Sequence, residues 1–353
     1  MLELPFVDLY CGAGGLSLGL RQAGLTPVFA ADHWAQAIRT YSRNHGDHAV
    51  CADVGELAGA AVLKAAGLRR GQAAVVCGGP PCQGFSVQRR GPAADPRNDQ
   101  ILRFIDLALA IEPRAIVMEN VPGLLGRRGR DHLAVAKQRL GAAGYGVAGR
   151  VLQAADYGVP SHRRRAILVA LRSGAVWTWP APTHPAGQRA TVRQAISDLP
   201  EPPEDHGPHP DFANHVRVRI SSANRDRIRH VPPGGGRLDI PIELQLPCHR
   251  NAGEHRHLDV FGRMEWDRPG PTITAVFDSF SRGRFAHPVA DRAITGREGA
   301  RLQSFPDDFV FEGAKKEVAR QIGNAVPPRL ARALGGALAG ALSDDLPNQG
   351  AIL

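Results

Sequence analysis

Phe6-Val7-Asp8-Leu9-Tyr10-Cys11-Gly12-Ala13-Gly14-Gly15-Leu16-Ser17, continued by Pro27-Val28-Phe29-Ala30-Ala31-Asp32, is the stretch whose reading decides the fold. The apolar run over 4–10 predicts a buried strand, and the glycines after it predict a tight turn. Leu16, Leu20 and Ala23 then recur at helical spacing until Gly24 closes the helix. Residues 27–31 read as a second strand with Asp32 at its end. Strand, glycine turn, helix, strand and acid is the order of a Rossmann-type nucleotide site. Ser17 stands where the third glycine of G-x-G-x-x-G would be, so the turn suits a smaller ligand with a carboxylate at the helix N-terminus better than a dinucleotide. Taken alone, the same residues also describe a plain strand-to-helix turn.

Working outward, a helix is predicted over 34–44, a strand end over 51–54 and a buried strand over 73–76. That strand runs into Cys77-Gly78-Gly79-Pro80-Pro81-Cys82-Gln83-Gly84-Phe85-Ser86. Proline fixes φ and cannot extend a ladder, so Pro80-Pro81 makes a stiff turn that holds Cys82 just past the strand's carboxyl end. Open α/β sheets place their ligands there. A free cysteine is more often a small buried hydrophobe, and only its company along the chain favours a nucleophile. A helix over 101–111 leads to a buried strand over 115–118, ending in Glu119-Asn120-Val121-Pro122. A helix over 133–140 follows, then two strands, 147–152 and 166–171, expected side by side. Tyr157-Gly158-Val159-Pro160-Ser161-His162-Arg163-Arg164-Arg165 joins them.

The chain has 353 residues, 43% of them hydrophobic, enough for two domains or one large domain with an insertion. A net charge of +9, carried mostly by arginine, favours a polyanionic partner, nucleic acid first, although an Ala-, Gly-, Arg- and Pro-rich composition accounts for part of it. The 5 cysteines are scattered without zinc-ligand spacing, so neither a metal site nor a disulfide framework is expected, and a reducing compartment is. The N-terminal residues do not read as a signal peptide, and no apolar run is long enough to span a bilayer. A cytoplasmic, nucleoid-associated protein is expected. Residues 179–210, rich in Pro and His, read as a domain boundary. A loop-rich second domain follows over 211–290. Order returns over 295–305 and in a helix over 328–342.

With the motifs in this order, the sequence resembles the DNA cytosine-5 methyltransferases over nearly its whole length. The segment 6–15 looks like the first cofactor motif, 79–86 like the catalytic loop and Glu119-Asn120-Val121 like the acid motif. Arg163-Arg164-Arg165 looks like the arginine motif, with Ser161 where the family usually has glutamine. Arg297-Glu298-Gly299-Ala300-Arg301-Leu302-Gln303-Ser304-Phe305-Pro306 resembles the penultimate motif, and Gln321-Ile322-Gly323-Asn324-Ala325-Val326-Pro327-Pro328 the last. The resemblance implies an α/β, Rossmann-like, S-adenosylmethionine-dependent methyltransferase domain with a small, loop-rich inserted target-recognition domain. In domain terms it implies a first catalytic and cofactor-binding part over 1–178, a hinge and recognition domain over 179–294, and a returning C-terminal part over 295–353.

It further implies methyl transfer from S-adenosylmethionine to carbon 5 of a flipped-out cytosine in a specific double-stranded DNA sequence. Carbon 5 is a poor nucleophile. A thiolate adding to carbon 6 pushes electrons toward it, which assigns Cys82 as nucleophile. Glu119, its pKa raised by burial, would assist at ring nitrogen 3. Arg165 would bind the cytosine carbonyl oxygen and a phosphate, supported by Arg163 on the same side of a strand start. The cofactor residues would be Asp8, Tyr10, Gly12, Gly14, Gly15, Leu16, Asp32, His33, Asp53, Val54, Pro80, Asn324 and Val326. The loop with Ser86, Gln88, Arg89, Arg90 and Arg97 would close on DNA. In the insert, Arg217, Arg219, Arg225, Arg227, Arg229, Arg282 and Arg284 are candidates for guanine or phosphate, with Arg225 and Arg227 foremost. Asn214, Asn224 and Asn251 are candidates for adenine. A monomer is expected, with a cognate restriction endonuclease encoded elsewhere. The alternatives are a tRNA cytosine-5 methyltransferase, against which Gly84-Phe85-Ser86 speaks, and a non-catalytic DNA-binding relative, against which Cys82 and Glu119 speak.

Overall fold

The computed structural model describes residues 4–81, 99–172, 177–251 and 257–344. They fall into two units. The first comprises Met1–Ala154, Arg164–Pro182 and Val326–Leu353, and the second Ala155–Arg163 and Thr183–Ala325.

The first unit is built on a seven-stranded sheet: β1 (Pro5–Leu9), β2 (Thr26–Asp32), β3 (Ala49–Cys51), β4 (Val75–Gly78), β5 (Ala115–Asn120), β6 (Tyr145–Gln153) and β7 (Arg164–Arg172). Their order is β3-β2-β1-β4-β5-β7-β6. The first five strands are parallel, and β7 runs antiparallel to both β5 and β6. Strands covered on both faces are apolar throughout rather than alternating, and every residue of β4 and β5 is buried. Helices α1 (Gly15–Gln22), α2 (Ala35–His45), α3 (Gly59–Ala65), α4 (Asp99–Ile111) and α5 (Arg130–Ala142) connect the strands. Ile101, Phe104, Ile105, Ala108 and Ile111 of α4 are buried at helical spacing and join the core. The connections run one way from β1 to β3 and the other way from β4 onward. The crevice at the carboxyl ends of β1 and β4 is therefore the topological switch point. The expected pairing of the last two strands runs from Tyr145↔Arg172 to Gln153↔Arg164. The strand expected to end over 51–54 stops at Cys51, because Asp53 caps a 3-10 turn over Val54–Glu56.

The second unit holds α6 (Val192–Ile196), α7 (Ser222–Arg229), α8 (Pro247–Arg250), α9 (Gly296–Leu302) and α10 (Lys315–Asn324), and α11 (Pro328–Asp344) returns to the first. Among its described residues the second unit has isolated bridges in place of a sheet. Buried arginines tie its loops instead. A guanidinium has five N–H donors, enough to satisfy several carbonyls at once. Arg263 donates to the carbonyls of Val231, His287, Ala290 and Ile228 and pairs with Asp291 at 2.7 Å. Arg297, with no exposed surface, donates to those of Ala213, Pro306 and Phe309.

The unit boundaries differ from those drawn on the sequence. Residues 295–325 pack with the second unit, because α9 is held by these bonds and Gln303 Nε2 donates to the Ile322 carbonyl of α10 at 2.7 Å. Residues 155–163 also belong there, through the Ser161–Gly270 bridge. Only the segment from Val326 returns. Its helix lies so close to α1 that a Cβ on Gly19 would collide with the Pro328 carbonyl and the Arg332 nitrogen, and one on Gly335 would lie 2.7 Å from Ala23 Cβ.

Candidate active site

The turn after β1 is held from below and from the side. Gly14, at φ 91°, is the N-cap of α1, and a Cβ there would collide with the His45 ring, so only glycine serves. His45 Nε2 donates to the Gly14 carbonyl at 3.1 Å while its Nδ1 accepts from Arg21 Nη1 at 3.0 Å. Burial, then the Arg21 charge, push its pKa down to about 3, so the ring is neutral. Tyr41 stacks on it with centroids 4.4 Å apart. Ser17, in place of a third glycine, donates to Asp8 Oδ2 at 2.6 Å and lies 2.9 Å from Tyr41 Oη. Asp8 is thus 1% exposed beneath the turn and serves as a brace; it does not face a ligand as the sequence reading expected. Burial pushes its carboxyl up to about 7 against the hydrogen bonds of Ser17 and the weakly donating Cys77 thiol, and its Oδ1 makes no hydrogen bond among the described residues.

Among the described residues a Cβ on Gly12 would meet nothing within 4 Å, and α1 has no acidic residue in its first turn. Gly12 is half-buried and Gly14, Gly15 and Leu16 are buried, and the main-chain N–H groups at such a helix N-terminus suit an anion. Asp32 fastens the two strand ends together: Oδ2 accepts from Gly12 N at 3.0 Å and Oδ1 from Trp34 N at 2.9 Å, with His33 Nδ1 3.4 Å away. A carboxylate offers about four lone-pair positions, so acceptor capacity is left for hydroxyls. Asp53 Oδ1 accepts from Gly55 N at 2.8 Å, and Val54 is buried beside it. Tyr10 Oη donates to Gln100 Oε1 at 2.7 Å. A Cβ on Gly55 would lie 3.1 Å from Gln100 Oε1 and 3.2 Å from Asp53 Oδ1, so the Tyr10 partner stands beside Asp53. Burial, then the charges of Asp53 and Asp32, raise the Tyr10 pKa. The sequence reading missed Gln100, Tyr41 and His45 as contributors. Their role arises from contacts between distant positions, and no local motif marks it.

On the other side of the switch point, parallel pairing sets Gly78 against Met118 and so brings Gly79 level with Glu119. A Cβ on Gly79 would lie 3.3 Å from Glu119 Oε2. Glu119 is 8% exposed, and its Oε1 is 2.6 Å from Arg165 Nε. Asn120 Nδ2 donates to the carbonyl of buried Pro80 at 3.1 Å, and its Oδ1 accepts from Val121 N, so Asn120 locks the shelf to β5. Cys82 lies outside the described residues, as do Ser86, Gln88, Arg89, Arg90 and Arg97.

Arg163 precedes β7, which begins at Arg164; it is buried in the second unit, where Nη1 donates to the Ile273 carbonyl at 3.0 Å, whereas Arg165 belongs to the strand in the first. Asn324 is exposed at the end of α10 in the second unit, whereas Val326 is buried in the first. Within the second unit, Arg227 donates to the Leu244 carbonyl and to Asn224 Oδ1, and Arg284 to the carbonyls of Gly234 and Gly235. Asn214 exchanges both ends of its amide with the backbone of Phe311, which removes it as a base reader. Arg219 and Arg225 are exposed.

Comparison with known proteins agrees with this arrangement. The sequence profile of the C-5 cytosine-specific DNA methylases matches residues 4–340. The Type II methyltransferase M.AgeI of Thalassovita gelatinovora is 32% identical, over 93% of this chain and 97% of its own. The Type II methylase M.HgiDII of Herpetosiphon aurantiacus is 35% identical, over 93% of each chain. The crystal structure of the S. pombe Dnmt2 methyltransferase shares the fold, with a TM-score of 0.69 at 18% identity, covering 96% of this chain and 99% of that one. With a profile spanning both the glycine turn and the Glu119 shelf, the chain belongs to the C-5 cytosine-specific DNA methylases.

Proposed function

We propose that the protein transfers a methyl group from S-adenosylmethionine to carbon 5 of a flipped-out cytosine at a specific site in duplex DNA. The observation that carries this reading is the Glu119–Arg165 pair beside Gly79, immediately before Pro80-Pro81-Cys82, on the same strand-end edge as the glycine turn and Asp32. When bound, S-adenosylmethionine supplies an electrophilic methyl on a cationic sulfur. The main-chain N–H groups around Gly12, Gly14, Gly15 and Leu16 suit its carboxylate, Asp32 its ribose hydroxyls, and Asp53 its adenine amine, with Tyr10, His33, Val54 and Pro80 around them. Asn324 and Val326 are assigned to the same ligand from the family motif.

Cys82 as thiolate adds to carbon 6 of cytosine, and the electron pair moves to carbon 5, which takes the methyl. Glu119 holds ring nitrogen 3 and the exocyclic amine, and Arg165 the carbonyl oxygen. Loss of the carbon 5 proton then expels the thiolate. A paired base is out of reach, so the cytosine leaves the stack at a cost of roughly a few kcal/mol. The loop from Gln83 to Arg97 is assigned to the DNA from the sequence, and the second unit to selection of the site. The type II relatives support a cognate restriction endonuclease encoded elsewhere. The deciding assay supplies labelled S-adenosylmethionine with duplex DNA and with tRNA and identifies the modified nucleoside. 5-Methylcytosine in DNA is expected; label confined to tRNA, or on the exocyclic amine, refutes the reading.

A further inference from the structure

We propose that the second unit carries a phosphate seat of its own, a pocket walled by Arg217, Arg225, Arg229 and Arg292 that takes a backbone phosphate of the DNA duplex. The inference rests on the reading of DNA as substrate. The pocket has a volume of about 170 Å³, and Val218, Ile220, Ala290 and Asp291 complete its wall. By the same measure one water needs roughly 10–15 Å³, so a tetrahedral oxyanion fits with water to spare.

The four guanidinium groups are not equivalent. Arg292 is framework: its side chain is 4% exposed and tied to Glu298 Oε1 at 2.9 Å and Glu201 Oε2 at 3.0 Å. Burial raises the Glu298 pKa, but the Arg292 charge and hydrogen bonds outweigh it and hold the carboxyl below its ordinary value, so this pair is ionised and fixed. Arg217 is fixed along one edge, through Nε and Nη2 to the Pro202 carbonyl and through Nη2 to Glu201 Oε2 at 3.3 Å, leaving Nη1 without a hydrogen bond among the described residues. Asp291, the carboxylate in the wall, is engaged by Arg263 at 2.7 Å and by Arg229 at 3.5 Å. Arg225 is exposed, and its side chain makes no hydrogen bond or ion pair among the described residues. It stands four residues before Arg229 on α7, on the same helix face, where like charges repel. Arg217, Arg229 and Arg292 each have a carboxylate partner, in Glu201, in Asp226 and Asp291, and in Glu201 and Glu298, so Arg225 is the guanidinium in the wall whose charge an oxyanion would complete. The planar fork of arginine matches phosphate geometry, and the fixing of Arg217 and Arg292 in advance limits the entropy lost on binding. A phosphate contact anchors register without reading sequence.

The test measures duplex binding by the full-length protein over a range of salt concentrations, for wild type and for Arg225→Ala, Arg225→Glu and Arg225→Lys. Expected for Arg225→Ala is a slope of log Kd against log salt reduced by about one, with the methylated sequence unchanged. Arg225→Glu weakens binding further, and Arg225→Lys restores the slope. Wild-type slopes in both Arg225→Ala and Arg225→Glu overturn the seat, as does a changed methylated sequence, which would make Arg225 a base reader. Failure of the wild type itself to bind duplex DNA overturns the function reading instead. Inorganic phosphate at matched ionic strength separates the sources. If it raises the Tm of wild type but not of Arg225→Glu while both bind DNA equally, the pocket takes free anions and the DNA seat is wrong.

Discussion

Replacing Asp8 by asparagine tests whether the brace beneath the glycine turn is a neutral acid. Burial pushes the Asp8 carboxyl from an ordinary 3.8 to about 7. Between those values the unfolded chain has lost the proton and the folded chain keeps it. Folding therefore binds a proton, and stability falls as pH rises across the window, then levels off above about 7. A shift of about three units at 1.36 kcal/mol each corresponds to about 4 kcal/mol lost between pH 4 and pH 8. Asparagine is close to isosteric with the protonated acid, can still accept from Ser17, and does not titrate. Its amide, set beside the Cys77 thiol, lacks a good acceptor and costs about 1–3 kcal/mol at every pH. The offset cancels when the difference between the two proteins is compared at two pH values. The variant should gain about 4 kcal/mol on wild type from pH 4 to pH 8. Urea unfolding followed by tryptophan fluorescence measures this, since Trp34, Trp177 and Trp179 all lie in the first unit. A difference between the proteins that stays constant within about 1 kcal/mol across that range refutes a neutral Asp8.

Other substitutions address the reaction and the returning helix. Cys82→Ala should abolish methyl transfer and leave S-adenosylmethionine binding nearly unchanged by calorimetry, while wild type should be trapped covalently on 5-fluorocytosine DNA; turnover by the variant would exclude Cys82 as nucleophile. Glu119→Gln should lower turnover by roughly 100- to 10,000-fold, as loss of a general acid does, with duplex binding retained in a gel-shift assay. Asp32→Ala removes the acceptor of both Gly12 N and Trp34 N, so it should raise the Kd for S-adenosylmethionine first; an effect confined to DNA affinity would contradict the assignment. Gly19→Ala sets a methyl against backbone of α11 and should destabilise the protein by about 1–3 kcal/mol in urea titrations, since backbone cannot yield as a side chain does.

The sequence by itself determined the features encoded between near neighbours. The strand-turn-helix over 4–24, the apolar strands β4 and β5, the stiff Pro80-Pro81 turn and the acids ending β2 and β5 are all legible, because backbone preference and hydrophobic period act over a few residues. The same locality made the strand pair 147–152 and 166–171 readable as neighbours. Partner choice between distant residues belonged to the tertiary structure. Asp8 looked like a ligand residue because it lies in the glycine motif, and only packing turned it down onto Ser17. The level of Glu119 with Gly79 depends on strand register, which no residue of either strand announces. Where the strand starts was also a tertiary matter: β7 begins at Arg164, and Arg163 before it donates to the Ile273 carbonyl of the second unit. Arginine is the clearest case. A guanidinium serves equally well as an internal brace or a phosphate ligand, so Arg227 and Arg225 look alike in sequence. The carbonyl of Leu244 and the amide of Asn224, brought to Arg227 by the fold, are what separate them.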